Sequence, residues 1–175
     1  REVGVRAKDI TASFSKFRGS WRRMEGKGKF QIPNSKFQIF VYDDYAHHPT
    51  EIRATLQALR EKFSRRKIVC VFQPHQAKRL RLLFDDFVDA FSDADVLVLL
   101  PVYQVAGRDK KALRQAHAKS SSEDLAEEIR KKHGQARVIY LDNVLGFRKK
   151  MEGVIKERVH SPTVLVMMGA GNIFE

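Results

Sequence analysis

Three short segments gather the residue types that do chemistry. The first is Asp43-Asp44-Tyr45-Ala46-His47-His48-Pro49-Thr50-Glu51. Two carboxylates and two imidazoles lie between positions 43 and 48, a set able to hold a divalent cation or the hydroxyls of a sugar. Neighbouring histidines usually point in different directions, so at most one is expected to share a site with a given aspartate. The alternative is a strand exit into a capped helix, with Pro49 in the first turn; the density of functional types tips the reading towards a site. The second segment is Phe72-Gln73-Pro74-His75-Gln76-Ala77-Lys78-Arg79. His75 and Arg79 are spaced to share a helix face, and an arginine there can grip a carboxylate with two parallel hydrogen bonds. A solvated basic helix start explains this motif equally well when it is taken alone. The third is Met168-Gly169-Ala170-Gly171-Asn172. Glycines after a strand let backbone amides approach an anion, but Phe174 leaves the dinucleotide fingerprint incomplete, and in isolation a tight turn is the better reading.

Other chemistries are missing their signatures. No G-x-x-x-x-G-K-S/T phosphate loop, G-x-S-x-G elbow or H-E-x-x-H pair occurs. Cys70 sits in an apolar run and reads as a packed thiol; Trp21 reads as packing rather than a stacking platform. A single cysteine excludes a disulfide framework and fits a reducing compartment. No apolar run approaches the roughly 20 residues a membrane span needs.

Charge points to an anion. Lys and Arg number 33 against 21 Asp and Glu, a net +12 over 175 residues, which suggests nucleic acid, nucleotide phosphate or a membrane surface as partner. The basic residues fall in scattered clusters: Arg22-Arg23, Arg65 to Lys67, Lys78 to Arg81, Arg130 to Lys132 and Arg148 to Lys150. Without a basic tail or an RNP, zinc-finger or KH signature, nucleic-acid binding rests on charge alone. Hydrophobic residues at 43% and charged ones at 31% are a globular composition. Arg1-Glu2-Val3-Gly4 has neither an initiator methionine nor the form of a signal peptide, which predicts the middle of a longer chain.

The hydropathy pattern supplies the elements that must position these segments. Residues 1–18 predict a helix with Val3, Val5, Ile10, Phe14 and Phe17 on one face and Gly19 as its stop. Trp21 to Lys27 and Phe30 to Ile32 predict two short strands split by Gly26 and Gly28, with a turn at Pro33-Asn34. A strand over 37–42 then leads to a helix over 50–63, and a strand over 68–72 to a helix over 78–91. The strand over 96–100 passes through a polar loop to a helix over 122–133, with Ser120 and Glu123 at capping-box spacing. A strand over 138–141 precedes a helix over 146–157, and a last strand covers 163–168. Five strands alternating with four helices predict an α/β fold: a mostly parallel sheet with helices on both faces. Such sheets bind ligands beyond the carboxyl ends of their strands. That rule selects Asp43 to His48, Gln73 to Arg79, Pro101 to Arg108, Asp142-Asn143 and Gly169 to Asn172.

In this order and at these separations, the string from Asp43 to Ile52, Phe72-Gln73-Pro74-His75 and Met168-Gly169-Ala170-Gly171 resemble the C-terminal half of the Mur ligases. Within that family they look most like the branch that joins L-alanine to UDP-N-acetylmuramate. Arg22-Arg23-Met24-Glu25 resembles the Arg-Arg-Phe-Glu motif near the end of the family's central ATPase domain. The resemblance covers nearly the whole chain and implies a Rossmann-like C-terminal domain. Residues 1–33 would be the tail of the central ATPase domain, and 34–175 most of the C-terminal, amino-acid-binding domain without its last helix. The implied reaction is ATP-dependent amide formation in peptidoglycan precursor synthesis, in the cytoplasm, with Mg²⁺ and an acyl phosphate intermediate. The phosphate loop would lie upstream, so this stretch alone would not catalyse, and no residue in it is assigned as catalytic.

By position in the resemblance, Arg23 would reach the ATP phosphates and Asp44 the ribose hydroxyls. Tyr45, His47 and His48 would line the junction with the UDP-sugar. His75 and Arg79 would receive L-alanine, Arg79 on its carboxylate, with Gly169, Ala170 and Gly171 part of the same wall. Gln76 stands where many members have Arg, and Asn172 where Asp is usual. The expected amino acid is therefore L-alanine, with glycine and serine left open. The resemblance makes nucleic acid a poor second reading. A metal-dependent hydrolase using Asp43, Asp44, His47 and His75 is the third. The oligomeric state is left open.

Overall fold

The computed structural model describes residues 4–17, 19–31, 36–103, 121–134, 138–158 and 160–171. The turn expected at Pro33-Asn34, the loop over 104–120 and Asn172 lie outside them. Six strands form one sheet: β1 (Glu25–Gln31), β2 (Gln38–Asp44), β3 (Lys67–Phe72), β4 (Val96–Leu99), β5 (Val138–Tyr140) and β6 (Thr163–Met168), in the spatial order β1-β2-β6-β3-β4-β5. All neighbours are parallel except β1, which runs antiparallel to β2. The expected α/β class and mostly parallel sheet are what the chain adopts.

Apolar strand runs put side chains on both faces, and the helices cover each. Ile68, Cys70 and Phe72 of β3 belong to one core cluster, while Val69 and Val71 belong to another, the alternation a strand imposes. The steps β2 to β3, β3 to β4 and β4 to β5 all move one way across the sheet. Their helices α2 (Pro49–Lys62), α3 (Ala77–Leu82), α4 (Phe84–Val88) and α5 (Ser122–His133) bury Leu56, Leu80, Phe87 and Leu125 in the first cluster. The return from β5 to β6 moves the other way. Right-handed crossovers then require its helix on the opposite face, and α6 (Phe147–Arg158) does bury Met151 and Val154 in the second cluster.

Four expectations are corrected. Residues 21–31 do not make two short strands. Trp21 to Met24 form a turn, and β1 is continuous through a bulge between Gly26 and Gly28; Gly28 takes φ +126° there, so glycine accommodates the irregularity instead of ending the strand. The helix expected over 78–91 breaks at Leu83 into α3 and α4, leaving Leu82 at the surface while Phe84 and Phe87 enter the core. The cap of α5 is one residue later than its spacing suggested: Ser121 Oγ accepts from the Asp124 amide at 3.0 Å, and Asp124 Oδ2 accepts from the Ser121 amide at 3.0 Å. Finally, β2 runs through Asp43 and Asp44 instead of stopping before them.

The first helix, α1 (Ala7–Lys16), buries none of its residues and leaves Val5, Ile10, Phe14 and Phe17 exposed. Among the described residues no helix is long and apolar enough to cross a membrane.

Candidate functional site

Sheet order assembles the site. The last strand in sequence, β6, is inserted between β2 and β3, and Met168 pairs with both Asp44 and Phe72. The three chemistry-bearing segments therefore leave the sheet side by side at one level. The Gly169 amide donates to the Asp44 carbonyl at 3.2 Å, and the Gln73 amide to the Met168 carbonyl at 3.1 Å. From the next strand, the Tyr103 amide reaches the Pro74 carbonyl at 2.7 Å, and His75 and Tyr103 form a parallel bridge.

The arginine buried at this edge is Arg22, whereas the sequence singles out Arg23. Arg22 is only 2% exposed. Its Nε donates to Asp43 Oδ2 at 2.9 Å and its Nη2 to Asp43 Oδ1 at 3.4 Å; Nη2 also donates to the Gly169 carbonyl at 2.6 Å and Nη1 to the Gly171 carbonyl at 2.8 Å. A buried charge needs such pairing. Arg23 instead points outward, with 51% of its side chain exposed and Nη1 3.8 Å from Glu51 Oε1. Both guanidinium groups lie against the Tyr45 ring, at 5.2 Å and 5.8 Å from its centroid.

Asp44 is buried and accepts from the Met24 amide at 2.7 Å and the Ala46 amide at 2.8 Å. It thus pins the turn before β1 to the start of the loop after β2. The half-buried His47 sets Nδ1 3.0 Å from the Tyr45 carbonyl; a carbonyl only accepts, so Nδ1 is the donor in this contact. His48 is exposed and caps α2, its Nδ1 accepting from the Thr50 amide at 3.3 Å. Glu51 completes the cap by accepting from the amides of His47 at 3.0 Å and His48 at 3.2 Å. Burial pushes the Glu51 carboxyl up, but these amides and the charges of His47 and Arg23 outweigh it and hold the group below its ordinary value.

Across the β6 loop, the His75 ring stacks on Tyr103 with centroids 5.4 Å apart and planes 14° from parallel. His47 and His75 approach edge-on at 6.3 Å, so the first two segments do meet. A Cβ placed on Gly171 would stand 2.9 Å from the Tyr103 ring, and the ring thereby holds that position to glycine. Ala170 is half-buried. Arg79 lies on α3, and its Nη1 is buried with no hydrogen-bond partner among the described residues. A buried guanidinium nitrogen without an acceptor is costly and suits an incoming carboxylate. Tyr103 falls in the Pro101-to-Arg108 stretch that the strand-end rule selects, but the sequence gives it no role; its place beyond the carboxyl end of β4 was its only signal.

The hydrolase reading fails on this geometry. Asp43 is bound by Arg22 and Asp44 by backbone amides, and no group of three or more His, Cys, Asp or Glu able to hold a metal ion occurs among the described residues. Cys70 is buried, and burial raises its thiol far above its ordinary value, with the Asp44 charge adding to the effect. It is no nucleophile.

A mostly parallel α/β sheet whose three chemistry-bearing segments gather where a returning strand is inserted defines the class. The chain belongs to the Mur ligase family: the family model described as Mur ligase, glutamate ligase domain, matches residues 22–171. The UDP-N-acetylmuramate–L-alanine ligase of Trichlorobacter lovleyi is 40% identical over 174 residues, covering 99% of this chain and 34% of that protein. Its counterpart in Geotalea uraniireducens is 36% identical, with the same 99% and 34% coverage. The solved UDP-N-acetylmuramate-alanine ligase of Thermotoga maritima shares the fold, with a TM-score of 0.66 at 24% identity over 99% of this chain and 32% of that one. The chain spans about a third of the length of the curated relatives it matches.

Proposed function

We propose that the full-length protein joins L-alanine to UDP-N-acetylmuramate at the cost of ATP, and that this chain supplies the amino-acid-binding side of the site. The observation that carries the reading is the insertion of β6 between β2 and β3, which sets the Asp43-to-His48, Gly169-to-Gly171 and Gln73-to-Arg79 segments side by side. The sequence relation to alanine ligases across the whole chain supports it.

A carboxylate resists attack by an amine until one oxygen becomes a better leaving group, and ATP supplies the phosphoryl group that makes it so. The residues of this chain bind and orient the reactants. The buried Nη1 of Arg79 takes the amino-acid carboxylate, and His75, held flat on Tyr103, receives the same amino acid. The exposed guanidinium of Arg23 faces the nucleotide phosphates. Asp44 reaches the ribose through acceptor sites beyond its two backbone bonds, since each carboxylate oxygen has two lone pairs. Tyr45, His47 and His48 meet the UDP-sugar. Mg²⁺, when bound with ATP, would neutralise charge on the phosphates; among the described residues no cluster of three or more His, Cys, Asp or Glu is placed to hold it. The setting is the cytoplasm, where peptidoglycan precursors are built.

The domain junction belongs before Trp21. β1 hydrogen-bonds into the sheet, and the family match begins at residue 22. Those two facts support a junction earlier than the 33/34 boundary that the resemblance implies. The exposed apolar face of α1 then belongs with the central ATPase domain.

The test is phosphate release by the full-length protein with ATP, Mg²⁺, UDP-N-acetylmuramate and L-alanine, omitting one component at a time. Release that needs all of them, with glycine and serine as weaker substitutes, is the expected result. Release indifferent to the muramate or to the amino acid would overturn the proposal.

A further inference from the structure

We infer that Arg22 is a positioning residue for the amino-acid pocket, acting through the Gly169–Gly171 turn that it holds. The inference rests on the ligase reading above, but its structural half stands apart from it.

One guanidinium ties two strand ends together. Two hydrogen bonds go to Asp43 at the end of β2, and two to the carbonyls of Gly169 and Gly171 beyond β6. The bonds to the glycine carbonyls join residues 147 and 149 positions apart. The planar fork of arginine matches this set of a carboxylate and two carbonyls, and the point charge of lysine does not. The backbone around Arg22 is arranged to keep it there. Arg22 and Met24 both take left-handed conformations, at φ 52° and 46°, which non-glycine residues adopt only where the surroundings enforce it. Three bonds enforce it: the Tyr45 amide to the Arg22 carbonyl at 2.7 Å, the Arg22 amide to Glu25 Oε2 at 3.0 Å, and the Met24 amide to Asp44 Oδ2 at 2.7 Å.

From the clasped turn, contact passes directly to the pocket. Gly171 lies against the Tyr103 ring closely enough to exclude a Cβ, and that ring is the platform for His75. If the Gly171 carbonyl loses its donor, the turn is free to shift, Tyr103 shifts with it, and His75 loses its plane. Arg22 itself is buried and bound to protein groups. Its effect reaches the amino acid through Gly171, Tyr103 and His75, while the exposed Arg23 on the nucleotide side is left in place.

The test is Arg22→Lys in the full-length protein, with Asp43→Asn as a second variant that keeps the acceptor and removes its charge. A displacement of the order of 1 Å at a reacting centre can cost up to about a hundredfold. The expected result for Arg22→Lys is about a tenfold rise in KM for the amino acid, with KM for ATP changed less than about threefold. A purely structural role would lower the active fraction and so kcat, leaving both KM values alone. The second readout is hydrogen exchange, expected to quicken in peptides covering 169–171 and stay unchanged in β4. Unchanged exchange at 169–171 in both variants overturns the inference, as does a KM for the amino acid that moves no more than that for ATP. If Arg22→Lys does not fold, Asp43→Asn decides by the same two readouts. If the wild type shows no amino-acid-dependent turnover, the ligase reading fails, and exchange at 169–171 still decides whether Arg22 holds the turn.

Discussion

Opposite rims of the sheet carry the same chemical device in different settings. At the rim where β3 begins, Arg60 of α2 donates to Asp95 Oδ2 at 2.7 Å and to the carbonyls of Arg66 and Asp93 at 2.9 Å and 2.8 Å; Asp95 Oδ2 also accepts from the Ile68 amide at 2.7 Å. At the rim where β2 and β6 end, Arg22 likewise grips an aspartate and two carbonyls. The side chains of Arg60 and Asp95 are 31% and 39% exposed, those of Arg22 and Asp43 only 2% each. The Arg60 clasp needs no left-handed backbone; the Arg22 clasp has it at two residues. An arginine bridging a carboxylate to loose carbonyls is thus a generic way to tie strand ends. Burial and left-handed backbone set apart the copy that holds the Gly169–Gly171 turn.

The comparison breaks most plainly under truncation. Arg22→Ala leaves Asp43 charged and buried and should cost about 3–5 kcal/mol, read as a shift in the denaturant midpoint of the full-length protein; a loss near that of a surface pair would erase the distinction between the rims. Arg79→Ala, at the same rim, should raise KM for the amino acid about tenfold or more while sparing ATP saturation, and an unchanged amino-acid dependence removes Arg79 from the pocket. Arg60→Ala should cost about 1 kcal/mol and leave both KM values where they were. Any change in substrate dependence would mean that the two rims communicate.

The smallest effect is electrostatic. Glu51 is held below its ordinary value in the folded protein, while an unfolded glutamate titrates near about 4.3. Its contribution is therefore present above about pH 4.3 and lost as pH falls through the lower, folded value. With a third of the side chain exposed, that contribution should stay below about 1 kcal/mol. Stability measured from pH 6 down to pH 3 should fall more for the wild type than for Glu51→Gln. Parallel curves would show that the α2 cap does not depend on charge.

Much of this architecture was legible because apolar runs and punctuation report burial directly. The runs at Ile68 to Phe72 and Val96 to Leu100 announced strands covered on both faces, and strand ends then named the loops. The roles of Arg22 and Arg23 were not legible. Two identical neighbours differ here in backbone conformation, and no local propensity sends one of them into αL. The continuity of β1 was hidden because glycine serves equally as a break and as a bulge. The split at Leu83 was hidden because Leu82, Leu83 and Phe84 are all apolar, and only tertiary packing chooses which of them faces solvent. Tyr103 could be located at a strand end, but its stacking on His75 depends on a bridge between loops that no spacing encodes.

The place of β6 also bears on how the domain comes into being. It is the last described strand in chain order, yet it sits between β2 and β3 and pairs with residues 39–44 of one and 67–72 of the other. While the chain is being synthesised, β2 and β3 emerge together with their helix but cannot close on each other; the gap between them awaits a segment about a hundred residues further on. Until that segment leaves the ribosome, the facing edges of β2 and β3 stay unpaired and open to wrong partners. Until then Arg22 lacks the carbonyls of Gly169 and Gly171 that it grips in the folded sheet. The clasp and the three adjoining segments therefore come together only when β6 pairs.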